Sequence, residues 1–382
     1  MTGGNRVTVE PVRDRRDLGR FIAVPFDIYR DDPNWVAPLN FERRQHLDRK
    51  RNPYFQHAEA ELFVAVRDGR PVGRISAQID RLDQERQGAD LGHFGFIEGI
   101  DDHAVFDALL GAAEGWLKAR GIGRVRGPFN FSINDECGLL VEGFDRPPVF
   151  LTGHARRWYA DHVEAQGYAK ARDTIAYRFD IRGEPLPAVA RRLVDRTRSV
   201  PNITVRPLRM KALDEELRII IGIFNDAWSG NWGFVPFTQA EMDRVAADLK
   251  MVLRPEFGQI VEMDGEPVAF GILLPNLNEA MADLNGSLLP FGWAKLAWRL
   301  LGGRIRSCRL PLMGVRSHLH STAIGAALAF MVIDRIYAAA AQRGFREAEL
   351  SWILEDNLPM RRMIESAGGI PYKAWRIYEK SL

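Results

Sequence analysis

Residues 61–72, ELFVAVRDGRPV, and 257–268, FGQIVEMDGEPV, share one pattern: strand, Asp-Gly-x-Pro-Val, strand. A tight Asp-Gly turn between two apolar runs specifies a β-hairpin. Its recurrence from Asp68 to Asp264, an offset of 196 residues, points to a duplicated fold. Three further landmarks keep the same order. Helices ending in Arg120-Gly121 and Arg343-Gly344 are 223 residues apart, with each glycine placed as a helix C-cap. Asn134 and Asn357, each following a strand, keep that offset. Gly167-Tyr168 and Gly369-Ile370, each leading into an aromatic-rich strand, are 202 apart.

The changing offset locates the insertions. The second half gains about 27 residues between its hairpin and its next strand, and the first gains about 21 after its Asn. Each half reads as strand, helices, hairpin, strand, long helix, strand, helix, strand, an α/β pattern with a mixed twisted sheet flanked by helices. The expected divisions are an N-terminal domain over 1–180, a linker over 181–203, and a C-terminal domain over 204–382 carrying an insertion at 276–306. The long helices are expected over 101–120 and 321–343, with Ile324, Leu328, Met331, Val332 and Ile336 facing the sheet.

A 382-residue chain that is 46% hydrophobic is long enough for two such cores. Its 52 basic and 50 acidic residues leave a net charge of +2, so no nucleic-acid partner is expected. Cys137 and Cys308 stand far apart without metal-ligand spacing, which predicts two free thiols and no metal. The start, MTGGNRVTVEPVRDRR, lacks an apolar core for a signal peptide. The longest apolar run, 323–333, ends at Asp334-Arg335, short of a membrane span and fitting a buried helix. A cytoplasmic location is the resulting expectation.

The order strand, Asp-Gly hairpin, strand, long helix, strand, Asn-led helix resembles the GNAT acyltransferases, and LSWILEDNLPMRRMIESAGGIPYKAWRIYEK resembles their C-terminal half. The resemblance implies tandem GNAT-like domains and acyl-CoA as co-substrate, its pantetheine lying between two splayed strands like an added strand. The family's Asn falls on Asn357. Its pyrophosphate loop, Gln/Arg-x-x-Gly-x-Gly/Ala, falls on 315–326, with Val315, Arg316, Thr322, Gly325 and Ala326 as the implied cofactor contacts. The spacing there is wider than the family's, and a loop that merely caps a helix is the competing reading. In the first half, Glu98, Asp101 and Asp102 occupy the loop position. Carboxylates would repel a pyrophosphate, so the first copy is not expected to bind CoA in the same way.

Across nearly its full length, including GPFNFSINDECGLLVEGFD and LPNLNEAMADLNGSLLPFGWAKLAWRLLGG, the chain is similar to bacterial tandem GNAT-like proteins that include the ceramide synthases. That resemblance implies transfer of a long acyl chain to a lipid amine such as a sphingoid base. The stretch 287–303, rich in Leu and Trp with Lys295 and Arg299, supports a lipid partner independently, as a peripheral contact with the inner membrane surface. It serves equally well as a cover for the protein's own core. Other open readings are a non-catalytic lipid or acyl-CoA binder, and an acyl carrier protein donor docking on Arg299, Arg304, Arg306 and Arg309.

Amide formation from a thioester needs a base for the amine and an acid for the thiolate. Glu279 is the candidate base, and Tyr372 and Tyr378 are the candidate acids. Candidate substrate contacts are Asn134 and Glu136 in the first half, and Asn225, Trp228, Asn231, Trp232, Asn276 and Asn278 in the second. Each polar run also reads as a turn held by its own side chains, and the tryptophans as anchors onto the core.

Overall fold

The computed structural model describes residues 6–183, 187–198, 200–249 and 252–382. The chain folds into two compact units, one of residues up to Thr174 with Met281–Leu289 and Lys373–Leu382, the other of Ile175–Ala280 with Pro290–Tyr372. The last strand and part of the 276–306 insertion therefore belong with the first unit.

The first unit contains β1 (Thr8–Pro11), α1 (Arg15–Ile28), α2 (Asn40–His46), β2 (Ala58–Arg67), β3 (Arg70–Asp80), α3 (Arg81–Gln87), β4 (Leu91–Gly99) and α4 (His103–Lys118). There follow β5 (Arg124–Gly127), β6 (Leu139–Glu142), α5 (Tyr159–Ala165) and β7 (Ala169–Asp180), which continues into the second unit. The second adds α6 (Ala188–Arg198), β8 (Ile203–Pro207), α7 (Leu213–Trp228), α8 (Gln239–Leu249), β9 (Gly258–Met263) and β10 (Glu266–Pro275). Its remaining elements are α9 (Leu277–Met281), α10 (Gly292–Leu301), β11 (Ser307–Val315), α11 (Ala323–Gln342), β12 (Glu347–Leu354) and α12 (Leu358–Ser366), before β13 (Ile370–Ser381). Helix α6 lies within the stretch read from sequence as a linker, which also contains residues outside the described set.

The duplication is visible in the pairing. In the first unit β1, β2, β3 and β4 are successively antiparallel and β4 is parallel to β5. In the second, β8, β9, β10 and β11 are successively antiparallel and β11 is parallel to β12. Both hairpins turn through Asp-Gly pairs at positive φ, Asp68-Gly69 and Asp264-Gly265, the backbone of a two-residue turn matched to strand twist. Both long helices end alike, with Ile122 N–H reaching Leu117 O and Phe345 N–H reaching Ala340 O beside glycines at φ +77°.

Leu328, Met331, Val332 and Ile336 of α11 are buried against the second unit's sheet, and Ile324 packs on the same core. Helix α11 is long and apolar enough by composition to cross a bilayer, yet this buried stripe makes it a core helix. Cys137 and Cys308 are buried free thiols. The 27-residue gain holds α9 and α10, and the 21-residue gain holds β6 and the loop leading to α5.

Candidate functional site

Strands β11 and β12 are hydrogen-bonded over four rungs only, from Ser307↔Glu347 to Leu310↔Leu350, although each continues for several residues beyond. Beyond Leu350 the two strands part. A bulge on β11 between the partners of Ile272 and Leu274 lies at that point, and bulges re-aim strands where pairing ends. Trp228, at the end of α7, donates its indole N–H to Met313 O at 3.0 Å and meets Trp352 of β12 edge-on at 5.8 Å. The open ends of the two strands are thus walled by aromatic rings.

Above the opening lies the start of α11. Thr322 caps it, accepting Gly325 N–H at 3.0 Å, and Ala326 N–H bonds Thr322 O. The N–H groups of Ser321, Ala323 and Ile324 have no acceptor among the described residues. Three unbonded donors at the positive end of a 20-residue helix suit a phosphate group. A side chain at 325 would put its Cβ 2.1 Å from Leu319 O, so only glycine lets the loop fold this tightly.

Arg316 has another task. Its guanidinium donates to Gly222 O at 2.9 Å, and its backbone N–H to Val268 O. Ser317 bonds Asp226 twice at 2.7 Å. Together these bonds fix the loop to α7. A frame starting at His320 has the family's spacing, with Ala323 and Gly325 at the two small positions, but carries His in place of Gln/Arg and Ala in place of the first Gly. His320 Nε2 lies 2.7 Å from Val315 O. Asn357 caps α12 by accepting Met360 N–H at 3.3 Å.

On one face of the last paired rungs lies a buried polar cluster. Tyr372 donates its hydroxyl to Glu349, as does Ser351, and Arg309 Nε donates to Ser351 Oγ at 2.8 Å. Arg309, Glu349 and Ser351 are each under 5% exposed. Burying a carboxylate is costly unless it is paired and hydrogen-bonded, and here Arg309 Nε lies 3.6 Å from Glu349. Among the sequence candidates only Tyr372 belongs to this cluster. Glu349 and Ser351 were missed, and Arg309, read from sequence as part of a docking face for a carrier protein, is buried at 4% exposure and faces this cluster instead.

Glu279 is committed elsewhere. Its carboxylate accepts the backbone N–H groups of Arg306 and Ser307 at 2.7 and 2.8 Å and the Ser307 hydroxyl, holding the start of β11. Asn276 bonds Ser307 Oγ at 2.9 Å and accepts Asn278 N–H at 3.2 Å, completing that turn. Asn225 bonds both backbone groups of Phe237. Asn231 and Trp232 are half-buried in the following loop. Tyr378 lies in the first unit, donating to Glu164 at 2.9 Å. Burial and that carboxylate push its hydroxyl well above the ordinary range.

The first unit closes the equivalent opening with its own chain. After three rungs of β4 and β5, Phe129 N–H bonds Phe94 O at 2.8 Å and Asn130 Oδ1 accepts Phe96 N–H at 2.7 Å. Gln78 donates to Phe129 O at 2.7 Å. Asp102 caps α4 and pairs with Arg67 at 2.8 Å. Glu98, buried, accepts the hydroxyls of Tyr29 and Tyr159 at 2.8 and 2.6 Å, and burial raises its proton affinity. Glu136 accepts from Arg43 at 3.1 Å and Asn130 at 2.6 Å. Burial works against its charge, but Arg43 and Asn130 hold it below the ordinary carboxylate range. Asn134 is half-buried in the same loop, its N–H bonded to Ser132.

An open parallel pair under a helix start with free N–H groups, duplicated in closed form, defines a tandem GNAT acyltransferase fold. Solved structures agree. A tandem GNAT protein from the clavulanic acid biosynthesis pathway matches over 98% of both chains with TM-score 0.59 and 12% identity. A GCN5-related N-acetyltransferase from Sphaerobacter thermophilus matches over 98% of this chain and 95% of its own, with TM-score 0.52 and 15% identity. No family model matches the sequence. The bacterial ceramide synthase of Caulobacter vibrioides is 47% identical over 98% of both chains, and protein YghO of Escherichia coli K12 is 46% identical over 97% of this chain and 94% of its own. The chain belongs to the family of these two proteins.

Proposed function

We propose that the chain transfers an acyl group, long in chain, from acyl-CoA to a lipid amine, with a sphingoid base as the first acceptor to test. The observation that carries this is the open β11–β12 pair, with free N–H groups at one end and a buried carboxylate cluster at the other. Ser321, Ala323 and Ile324 would hold the pyrophosphate through backbone N–H groups, with Thr322, Gly325 and Ala326 shaping the helix start. The edge of β11 beyond its last rung with β12 would take the pantetheine amides. Asn357 fixes the far side of the opening by capping α12, and Arg316 acts as an anchor of the loop.

The reaction forms a C–N bond and breaks a C–S bond, while a proton leaves nitrogen and one reaches sulfur. Glu349 is the base we assign in place of Glu279, because Glu349 lies at the last paired rungs beside the opening, whereas Glu279 holds the start of β11. Arg309 balances the charge of Glu349 before it takes the amine proton. Tyr372 supplies the proton to the departing thiolate. Trp228 and Trp352 wall the acceptor side.

The ceramide synthase relative supports the sphingoid amine. A membrane-borne acceptor is further supported by α10, where Phe291, Trp293, Trp298 and Leu301 are all more than half exposed. Arg304 stacks on Trp298 at 3.6 Å, and no acidic residue occurs between Asp283 and Asp334. Such a face suits an anionic lipid surface.

The test is mass spectrometry of the product formed from palmitoyl-CoA and sphinganine. An N-acylated amine that disappears in Glu349→Gln is the expected result. Acyl-CoA binding without turnover on any amine would make the chain a binder, and turnover only from an acyl carrier protein thioester would replace the donor.

A further inference from the structure

The opposite face of the same rung carries a pocket that the reaction described above does not use. Side chains alternate along a strand. Arg309, Glu349 and Ser351 line the polar side, whereas Leu310, Ala348 and Leu350 line a pocket roofed by α11 and α12. Its empty space, counted out into the open mouth, is about 630 Å³. All its lining residues are apolar except Tyr337, whose hydroxyl is already bonded to the carbonyls of Ile181 and Gly183.

We infer that this pocket is the acyl-chain site and sets the length of chain accepted. The inference rests on the acyl-transfer reading and adds where the chain goes. An occupant must be apolar throughout, because the lining offers no free polar partner. It must also be slender, because the pocket lies between two helices, with Phe330, Ile333 and Ala340 on one wall and Ile364 on another. A hydrocarbon chain meets both demands. The rung Leu310↔Leu350 is the last before the strands part, so the pocket begins at the apex of the opening. A thioester carbon held there has Glu349 on one side of the sheet and the pocket on the other. The amine and the chain then approach from opposite faces.

Each methylene moved from water into such a lining strengthens binding about fourfold. Wild-type affinity for acyl-CoAs is therefore expected to climb with chain length until the pocket is full. Ala340→Leu and Ala348→Leu each add three carbons to the pocket lining. Each should end the climb several carbons earlier than in the wild type. An unchanged length profile in both variants, with turnover intact, overturns the inference while the acyl-transfer reading stands. Loss of turnover at every length in the wild type overturns that reading instead. The pocket is then judged by cis-parinaric acid fluorescence: binding weakened by both substitutions supports a hydrocarbon site, and binding unaffected by either, or absent, refutes it.

Discussion

The two parallel strand pairs, β4–β5 and β11–β12, descend from one design and have opposite fates. In the first unit, the three-residue run Phe129–Phe131 returns across the gap and takes up the N–H of Phe96 and the carbonyl of Phe94. In the second, the strands stay apart beyond Leu350, and the helix above leaves three N–H groups unspent among the described residues. Backbone groups need partners. A gap that supplies its own is structure, and one that does not is a place for a ligand. Carboxylates at the start of α4, Asp101 with His162 and Asp102 with Arg67, reinforce the difference.

The largest effect is expected at the base. Glu349→Gln is expected to lower kcat by about 10²–10⁴ while leaving acyl-CoA affinity unchanged. Calorimetry beside steady-state kinetics would separate the two, and a matching loss of affinity would make Glu349 a binding residue. Next comes the helix start. A side chain at Gly325 must push Leu319 O away, so Gly325→Val should cost about tenfold to hundredfold in acyl-CoA affinity, the worth of one or two charge-assisted hydrogen bonds.

The mirror substitution tests the closed gap. A Cβ at Gly95 falls 1.7 Å from Phe129 O. Gly95→Ala should destabilise the protein by about 1–3 kcal/mol in a denaturant titration without lowering acyl-CoA affinity. A gain of a second binding site in that variant would show that the plug alone keeps the first copy silent. The loop's ion pair gives a pH signature. Glu136 is held below the ordinary range, so its contribution is present at neutral pH and is lost as pH falls below about 4. Glu136→Gln should flatten that acid limb, read as Tm against pH. The smallest effect concerns α10. Trp293→Ala with Trp298→Ala should reduce salt-sensitive retention on phosphatidylglycerol vesicles and leave turnover of a water-soluble short-chain amine intact.

Much of the architecture was legible because it repeats. The Asp-Gly turns, the glycine-ended long helices and the apolar stripe of α11 follow from local chemistry that reads the same in both halves. The exchange of segments between units was not legible, since nothing local in 373–382 marks a strand that joins the first unit. The site was read in part. Gly325, Thr322 and Tyr372 carry signals in their own types and neighbours, but the partnership of Arg309 with Glu349 exists only through the register of two strands 40 residues apart. Glu279 and Arg316 show the converse. Their charges invite a catalytic or phosphate role, yet the Glu279 carboxylate holds the start of β11 and the Arg316 guanidinium bonds Gly222 O, partners that only the folded chain brings near.

One copy is open and the other closed, and hydrogen exchange with and without palmitoyl-CoA tests this difference most directly. Ligand should slow exchange at Ser321, Ala323 and Ile324 and along Met313–Val315, leaving the amides of Phe94, Phe96 and His103 as they were. Protection at the start of α4, or at both helix starts equally, would contradict it.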